Sequence, residues 1–250
     1  MTERIKIQGI NTILIDMYGV ILEESKGYFI PYTFQHFPET QHERLTRQFR
    51  VEKLFTKAGL GEIDSDTFLG LLGFQDVQFH MKDYIENYLT LDAGFVPFAE
   101  KYSKKYNEDS NSEDAKTKFD IVLLSNDVSQ WSTYITQYHG LNGYFSDKIV
   151  SADVGCRKPQ KEIYELALER IGKKAEECCF IDNSVSNLNV AAELGILPIL
   201  FNRDQEAYDG IVVNTFEELA EFLGRSEWFP TDSRKMANSR GRKRKRLRLI

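Results

Sequence analysis

The stretch Ile13-Leu14-Ile15-Asp16-Met17-Tyr18-Gly19-Val20 limits what this chain can become more than any other. Three apolar β-formers run directly into a carboxylate, and a glycine follows three residues later. Such a run fits a strand buried on both faces, in the middle of a parallel sheet. Asp16 then stands at the strand's C-terminal end, where open α/β sheets gather their ligands. Gly19 lets the backbone turn away tightly and lets another group come close. Taken alone, the aspartate serves equally well as a cap for whatever follows the strand.

The second half of the chain supplies the rest of such a sheet. Strand patterns at 119–124, 148–150, 178–181 and 197–201 alternate with helical patterns at 128–139, 159–170, 187–194 and 216–223. In the second of these helices the pattern puts Pro159 at the first position. Alternation of this kind means crossover units and a parallel sheet covered on both faces. Between Leu22 and about Leu91 the signals are helical only. A capping-box spacing at Thr40-Gln41-His42-Glu43 predicts a helix to about Lys57, and Asp64-Ser65-Asp66 starts a second. Apolar residues then recur at helical spacing over 77–89 and 95–102, and 104–117 is a polar, solvated loop. The expected organisation is an α/β core from residues 1–21 and 118–224, a helical insert over 22–117 with a polar return loop, and a basic, disordered tail over 225–250.

An apolar fraction of 42% supports a genuine core for the 250 residues. The net charge of -6 hides an asymmetry. Nine Lys/Arg and one acid lie between Thr231 and Ile250, leaving the remainder with 23 basic and 37 acidic residues, a net charge of -14. The lone basic run has no interleaved aromatics, so it reads as a solvated extension rather than a nucleic-acid site. No apolar run approaches a membrane span, and Met1–Gln8 is not a secretory signal. Cys156, Cys178 and Cys179 cannot form a disulfide framework, which suggests a reducing, cytoplasmic setting. The four histidines lack zinc-ligand spacing.

The polar residues that end the strands carry the functional information. Asp16 ends the first, Ser125-Asn126 the second and Asp182-Asn183-Ser184 the fourth, while Gly155-Cys156-Arg157-Lys158-Pro159 brings a lysine just ahead of a helix. In a parallel sheet these ends share one edge, giving a crevice where an anion and a divalent cation can sit together. This set, in this order, resembles the haloacid dehalogenase-like (HAD) hydrolase superfamily from about Asn11 to Leu223. The resemblance implies a Rossmann-like three-layer core with an inserted α-helical cap domain. It implies that Asp16 is a nucleophile forming an aspartyl intermediate, that Ser125 holds a substrate oxygen, and that Lys158 neutralises charge. It implies Mg²⁺ held by Asp16, the main-chain carbonyl of Tyr18, Asp182 and Asn183. Asn126, Tyr18, Lys26 and Tyr28 are the candidate substrate contacts.

Two positions depart from the family pattern. Tyr18 replaces the aspartate that serves phosphatases as general acid, and a phenol with a reference pKa near ~10 is a poor proton shuttle at neutral pH. An Asp-x-Tyr-Gly start resembles the 2-haloacid dehalogenases instead, although Asp182 retains the metal-capable fourth motif. Asn183 stands where many phosphatases have a second acid. The leading expectation is a Mg²⁺-dependent phosphatase acting on a small phosphorylated metabolite, as monomer or homodimer. The alternatives are a haloacid dehalogenase-like enzyme and a non-catalytic ligand-binding member. If another group supplies the missing proton, Asp127 is the first candidate.

Overall fold

The sheet grows outward in both directions from the first-motif strand. The computed structural model describes residues 5–6, 9–25, 28–107, 118–224 and 227–228. Its main sheet contains β2 (Thr12–Ile15), β3 (Asp120–Ser125), β4 (Asp147–Val150), β5 (Cys178–Asp182), β6 (Leu197–Phe201) and β7 (Ile211–Val213). The strands are all parallel, in the order β4-β3-β2-β5-β6-β7. The chain thus leaves β2 on one side and returns to its other side at β5. That reversal is a topological switch point, and it opens a crevice at the C-terminal end of β2. A separate antiparallel ladder pairs β1 (Ile5–Lys6) with β8 (Glu227–Trp228).

Successive side chains of a strand point to opposite faces, and β2 feeds two apolar layers accordingly. Ile13 and Ile15 join one cluster, which includes Trp131 and Ile135 of α7 (Ser129–Tyr138) and Phe216 of α11 (Phe216–Leu223). Leu14 joins the other, against Ile163 of α9 (Lys161–Ile171) and Leu188 of α10 (Val185–Glu193). All three β2 residues are fully buried, as a central parallel strand requires.

Between β2 and β3 the chain forms α1 (Phe29–Gln35), α2 (His42–Arg50), α3 (Leu54–Gly59), α4 (Ser65–Leu72), α5 (Val77–Tyr88) and α6 (Phe95–Tyr102). The first five form the helical insert. α6 instead packs on the core, with Phe95 and Phe98 at 5.5 and 5.3 Å from the Phe216 ring. Trp131 joins the insert to the core. Its ring lies 4.7 Å from Phe29 and 5.5 Å from Tyr84, and its Nε1–H donates to Ser65 Oγ at 2.7 Å. Nearby, Ser151 at the start of α8 (Ser151–Val154) donates to the Gly59 carbonyl at 2.5 Å. Gly61, at φ +72°, runs so close to α8 that a Cβ there would meet the Ala152 carbonyl oxygen at 2.1 Å.

Several expected boundaries shift for identifiable reasons. The helix expected from Thr40 to Lys57 is two helices, because Lys53 adopts φ +53° and turns the chain between α2 and α3. Gln41 rather than Thr40 precedes α2, and it makes no side-chain cap. Pro159 lies before α9 rather than in its first turn, since Gln160 occupies the cap position. β7 and α1 were not anticipated. The polar loop over 108–117 and, apart from Glu227–Trp228, the tail expected over 225–250 lie outside the described residues.

The Trp131 seam generates a stability prediction. Trp131→Ala should lower unfolding free energy by about 3–5 kcal/mol, because it empties a large site and orphans Ser65. Urea denaturation measures this, and a loss below about 1 kcal/mol would show that other contacts hold the insert down.

Candidate active site

The residues that end the strands meet around one buried ammonium group. Lys158 Nζ lies 2.8 Å from Asp16 Oδ1 and 2.8 Å from Asp182 Oδ2. Its third proton goes to the Leu124 carbonyl, also at 2.8 Å. The ammonium therefore joins the ends of β2, β3 and β5. Burial works against its charge, but the two carboxylates outweigh burial and raise its pKa. Lys158 is held in turn by Asn126, whose Oδ1 accepts from Lys158 N at 2.8 Å and whose Nδ2 donates to Lys158 O at 2.9 Å. Asn126 thus positions the lysine, besides lining the cleft as a candidate substrate contact.

Asp16 accepts from its neighbour's backbone N–H, that of Met17, at 2.7 Å. Among the described residues, this bond and the Lys158 pair both use Oδ1, so Oδ2 is the oxygen left for a ligand. Burial raises the Asp16 pKa against the pull of Lys158. Asp182 is fully buried and saturated. Besides Lys158 it takes Ser184 N–H at 2.7 Å and the Asn187 amide at 3.1 Å on each oxygen. Ser125 is fully buried, and its Oγ has no partner among the described residues. A buried hydroxyl costs free energy unless something satisfies it, so this atom suits a ligand oxygen or a water.

A cleft of about 370 Å³ opens over Asp16, Tyr18, Asn126, Asp127 and Asn183. The insert supplies the opposite wall through Phe29, Ile30, Phe55 and Tyr84. Tyr28, 55% exposed, is not among the lining residues; its two successors in α1 are. Lys26 lies outside the described residues. Tyr18 lines the cleft, and its hydroxyl donates to Asp127 Oδ1 at 3.3 Å. Burial and then the Asp127 charge push the Tyr18 phenol well above its ordinary pKa, so it stays protonated.

Two contributors, Arg203 and Asp204, were not visible in the sequence, whereas Asp127 was a reserve proton donor there and Gly19 a point of close approach. Asp127 follows Asn126 directly, yet its burial could not be read from the chain. Its Oδ1 takes Val128 N–H at 2.8 Å while Oδ2 is buried with no partner among the described residues. Burial raises its pKa to about 8. Asp204 accepts from Ser25 Oγ at 2.7 Å and Asn183 Nδ2 at 3.1 Å, fixing the Asn183 amide at the cleft. Arg203 donates to the carbonyls of Gly19 and Val20 at 3.2 and 3.3 Å and pairs with Asp92 at 2.6 Å, bracing the turn after Asp16. Gly19 itself, at φ +75°, packs so close to Asn183 that a Cβ would come within 2.5 Å of the amide nitrogen.

The donors near Asp16 suit a hard divalent cation. Asp16 and Asn183 line the cleft with hard oxygen donors, and no group of three or more His, Cys, Asp or Glu gathers as a metal site among the described residues. Mg²⁺ needs no such cluster, because it takes one or two carboxylates and completes its shell with waters and substrate oxygens.

A haloacid dehalogenase-like hydrolase model matches residues 10–195, and the chain belongs to that family of hydrolases. The chain is 26% identical over 113 residues to the glyceraldehyde 3-phosphate phosphatase of Methanocaldococcus jannaschii, covering 42% of this chain and 49% of that one. The match thus spans about half of that relative's length. In structure it resembles a HAD phosphatase from Thermococcus onnurineus, with TM-score 0.65, 19% identity, and coverage of 86% of this chain and 98% of that one. It also resembles a HAD family enzyme from Bacteroides thetaiotaomicron crystallised with magnesium and inorganic phosphate, with TM-score 0.61, 20% identity, and coverage of 79% and 97%. Among the described residues no helix is long and apolar enough to cross a membrane.

The buried Asp127 has a measurable consequence. Its folded-state pKa lies above that of the unfolded chain, so the folded form binds the proton more tightly. Stability should then fall as pH rises from about 4 to about 8, by up to a few kcal/mol. In magnesium-free buffer Asp127→Asn should flatten that slope, Asp16 being common to both proteins. Parallel slopes in denaturation curves of the two proteins would show that Asp127 titrates normally.

Proposed function

We propose that this protein is a Mg²⁺-dependent phosphatase of a small phosphorylated molecule, acting through an aspartyl-phosphate at Asp16. The observation that carries the reading is the buried Lys158 ammonium held 2.8 Å from both Asp182 and Asp16, the latter of which lines the cleft. A carboxylate attacks a phosphate dianion only where cationic charge offsets the repulsion, and Lys158 provides part of it. Asp16, the Tyr18 carbonyl and Asn183 would hold Mg²⁺, with Asp182 joining by giving up one of its present donors, and the ion would supply the remaining charge neutralisation. The phosphatase name of the archaeal relative and the magnesium complex of the Bacteroides enzyme support this reading.

In the first half-reaction Asp16 forms its bond to phosphorus while the bond to the leaving oxygen breaks. Ser125 Oγ, with no partner among the described residues, is available to donate to a phosphoryl oxygen. We assign the proton taken by the leaving group to Asp127 rather than Tyr18. Asp127 lines the cleft, has no partner for Oδ2 among the described residues and is the more acidic of the two. Deprotonated in that step, it can then take a proton from the water that cleaves the aspartyl-phosphate. The cap role of the insert and the cytoplasmic setting belong to the same proposal.

Hydrolysis of acetyl phosphate and of alkyl phosphate monoesters tests it. Wild type should require Mg²⁺, and Asp16→Asn should abolish turnover while leaving the fold intact. Turnover that survives chelation, with release of halide from short haloacids, would place the protein with the dehalogenases instead. Asp127→Asn should slow alkyl monoesters by ~10²–10⁴-fold and spare acetyl phosphate, whose leaving group hardly needs a proton. An equal loss on both would remove Asp127 from the proton path.

A further inference from the structure

The two walls of the cleft differ in chemistry, and the difference describes the substrate. The core wall is polar, carrying Asp16, Asn126, Asn183 and Asp204. The insert wall is apolar: Phe29, Ile30, Phe55 and Tyr84 line it, and Ser25 is its one other described contributor. Ile30 is 45% exposed and Phe55 40%, so neither is spent on the interior. Apolar surface left open beside a polar floor marks the place where an apolar ligand group is buried.

The rings behind this wall are already fixed. Phe55 stacks on Phe29 at 5.8 Å and 14° between planes, and Phe29 meets Tyr84 edge-on at 5.2 Å. A flat, pre-ordered surface loses little entropy when a planar group settles on it. On the opposite rim Asp204 and Glu206 add negative charge, which disfavours a second anionic group there. Arg157 is the one basic residue among the described residues lining the cleft, and it directly precedes Lys158 in the chain. A cleft of about 370 Å³ falls within the ~300–1,000 Å³ typical of small-molecule sites and exceeds the needs of a phosphoryl group alone.

We infer that the substrate carries an uncharged, planar apolar group, aryl or arylalkyl, which packs on Ile30 and Phe55 while its phosphoryl end faces Asp16. The inference rests on the phosphatase reading for the phosphoryl end only. It departs from the polar triose phosphate named for the archaeal relative.

Benzyl phosphate and glycerol 3-phosphate are both primary alkyl esters, so they differ chiefly in what the insert wall meets. With Mg²⁺ present, kcat/KM for benzyl phosphate should exceed that for glycerol 3-phosphate by about tenfold or more, the yield of burying one ring. Ile30→Ser and, separately, Phe55→Ala should erase most of that preference through KM, with folding checked by circular dichroism. Ile30, the more exposed of the two, keeps the test decisive if the Phe55 variant unfolds. Equal efficiencies, or a preference for glycerol 3-phosphate, would overturn the inference and leave the phosphatase reading standing. If no phosphate compound turns over, it is the phosphatase reading that fails. Calorimetry with benzylphosphonate and methylphosphonate then decides the wall: tighter binding of the aryl ligand by about tenfold upholds it, and equal binding overturns it.

Discussion

The structure depends on one buried cation. Lys158 is 2% exposed, and its three N–H donors go to Asp16, Asp182 and the Leu124 carbonyl. An ammonium taken out of water costs several kcal/mol unless every proton is matched, so the arrangement admits no partial version. Removing either carboxylate would leave a charge stranded between strands. Because the three acceptors stand at the C-terminal ends of β2, β5 and β3, the pairing that satisfies the lysine also ties those strand ends together. The Phe180 ring, 5.2 Å from Nζ, adds a further favourable contact from below.

That dependence explains what could be read from the chain and what could not. Asp16, Ser125, Lys158 and Asp182 were legible because each directly follows or ends a strongly apolar strand, or precedes a helix. Topology alone carries such residues to one edge. Arg203 and Asp204 were not legible. They lie just beyond β6, and their partners, Asp92 and Ser25, are 111 and 179 positions away. No local pattern announces a contact of that range. β7 escaped notice because a three-residue edge strand, Ile-Val-Val with its middle residue turned outward, has too few turns of its period to register.

The helical insert shows a different limit. Its helices were visible from capping residues such as Asp64, which accepts from Thr67 N–H at 2.7 Å. Their arrangement was not, because the segment opening the insert is rich in aromatics that suit either a core or a binding wall. Tyr32 is fully buried and serves packing. Phe29 does both, packing on Trp131 and also facing the cleft. Neighbouring residues of one helix can thus divide between stability and recognition, and spacing alone does not separate them.

The two asparagines beside Asp182 alter the electrostatics in a consistent direction. Asp16 and Asp182 carry two negative charges against the one positive charge of Lys158, so this trio has a formal charge of -1. Acids at 183 and 187 would deepen that to -3, a stronger trap for a divalent cation but a worse host for a phosphate dianion. Asn187 instead turns its amide N–H onto both oxygens of Asp182, and Asn183 is tied to Asp204. Asp182 is thereby shared between lysine and amide before any cation arrives. A divalent ion must compete for it, whereas an incoming anion meets less repulsion. With neutral side chains at 183 and 187, Lys158 carries the positive charge that Asp16 and Asp182 face, and the geometry around that lysine leaves no donor unused.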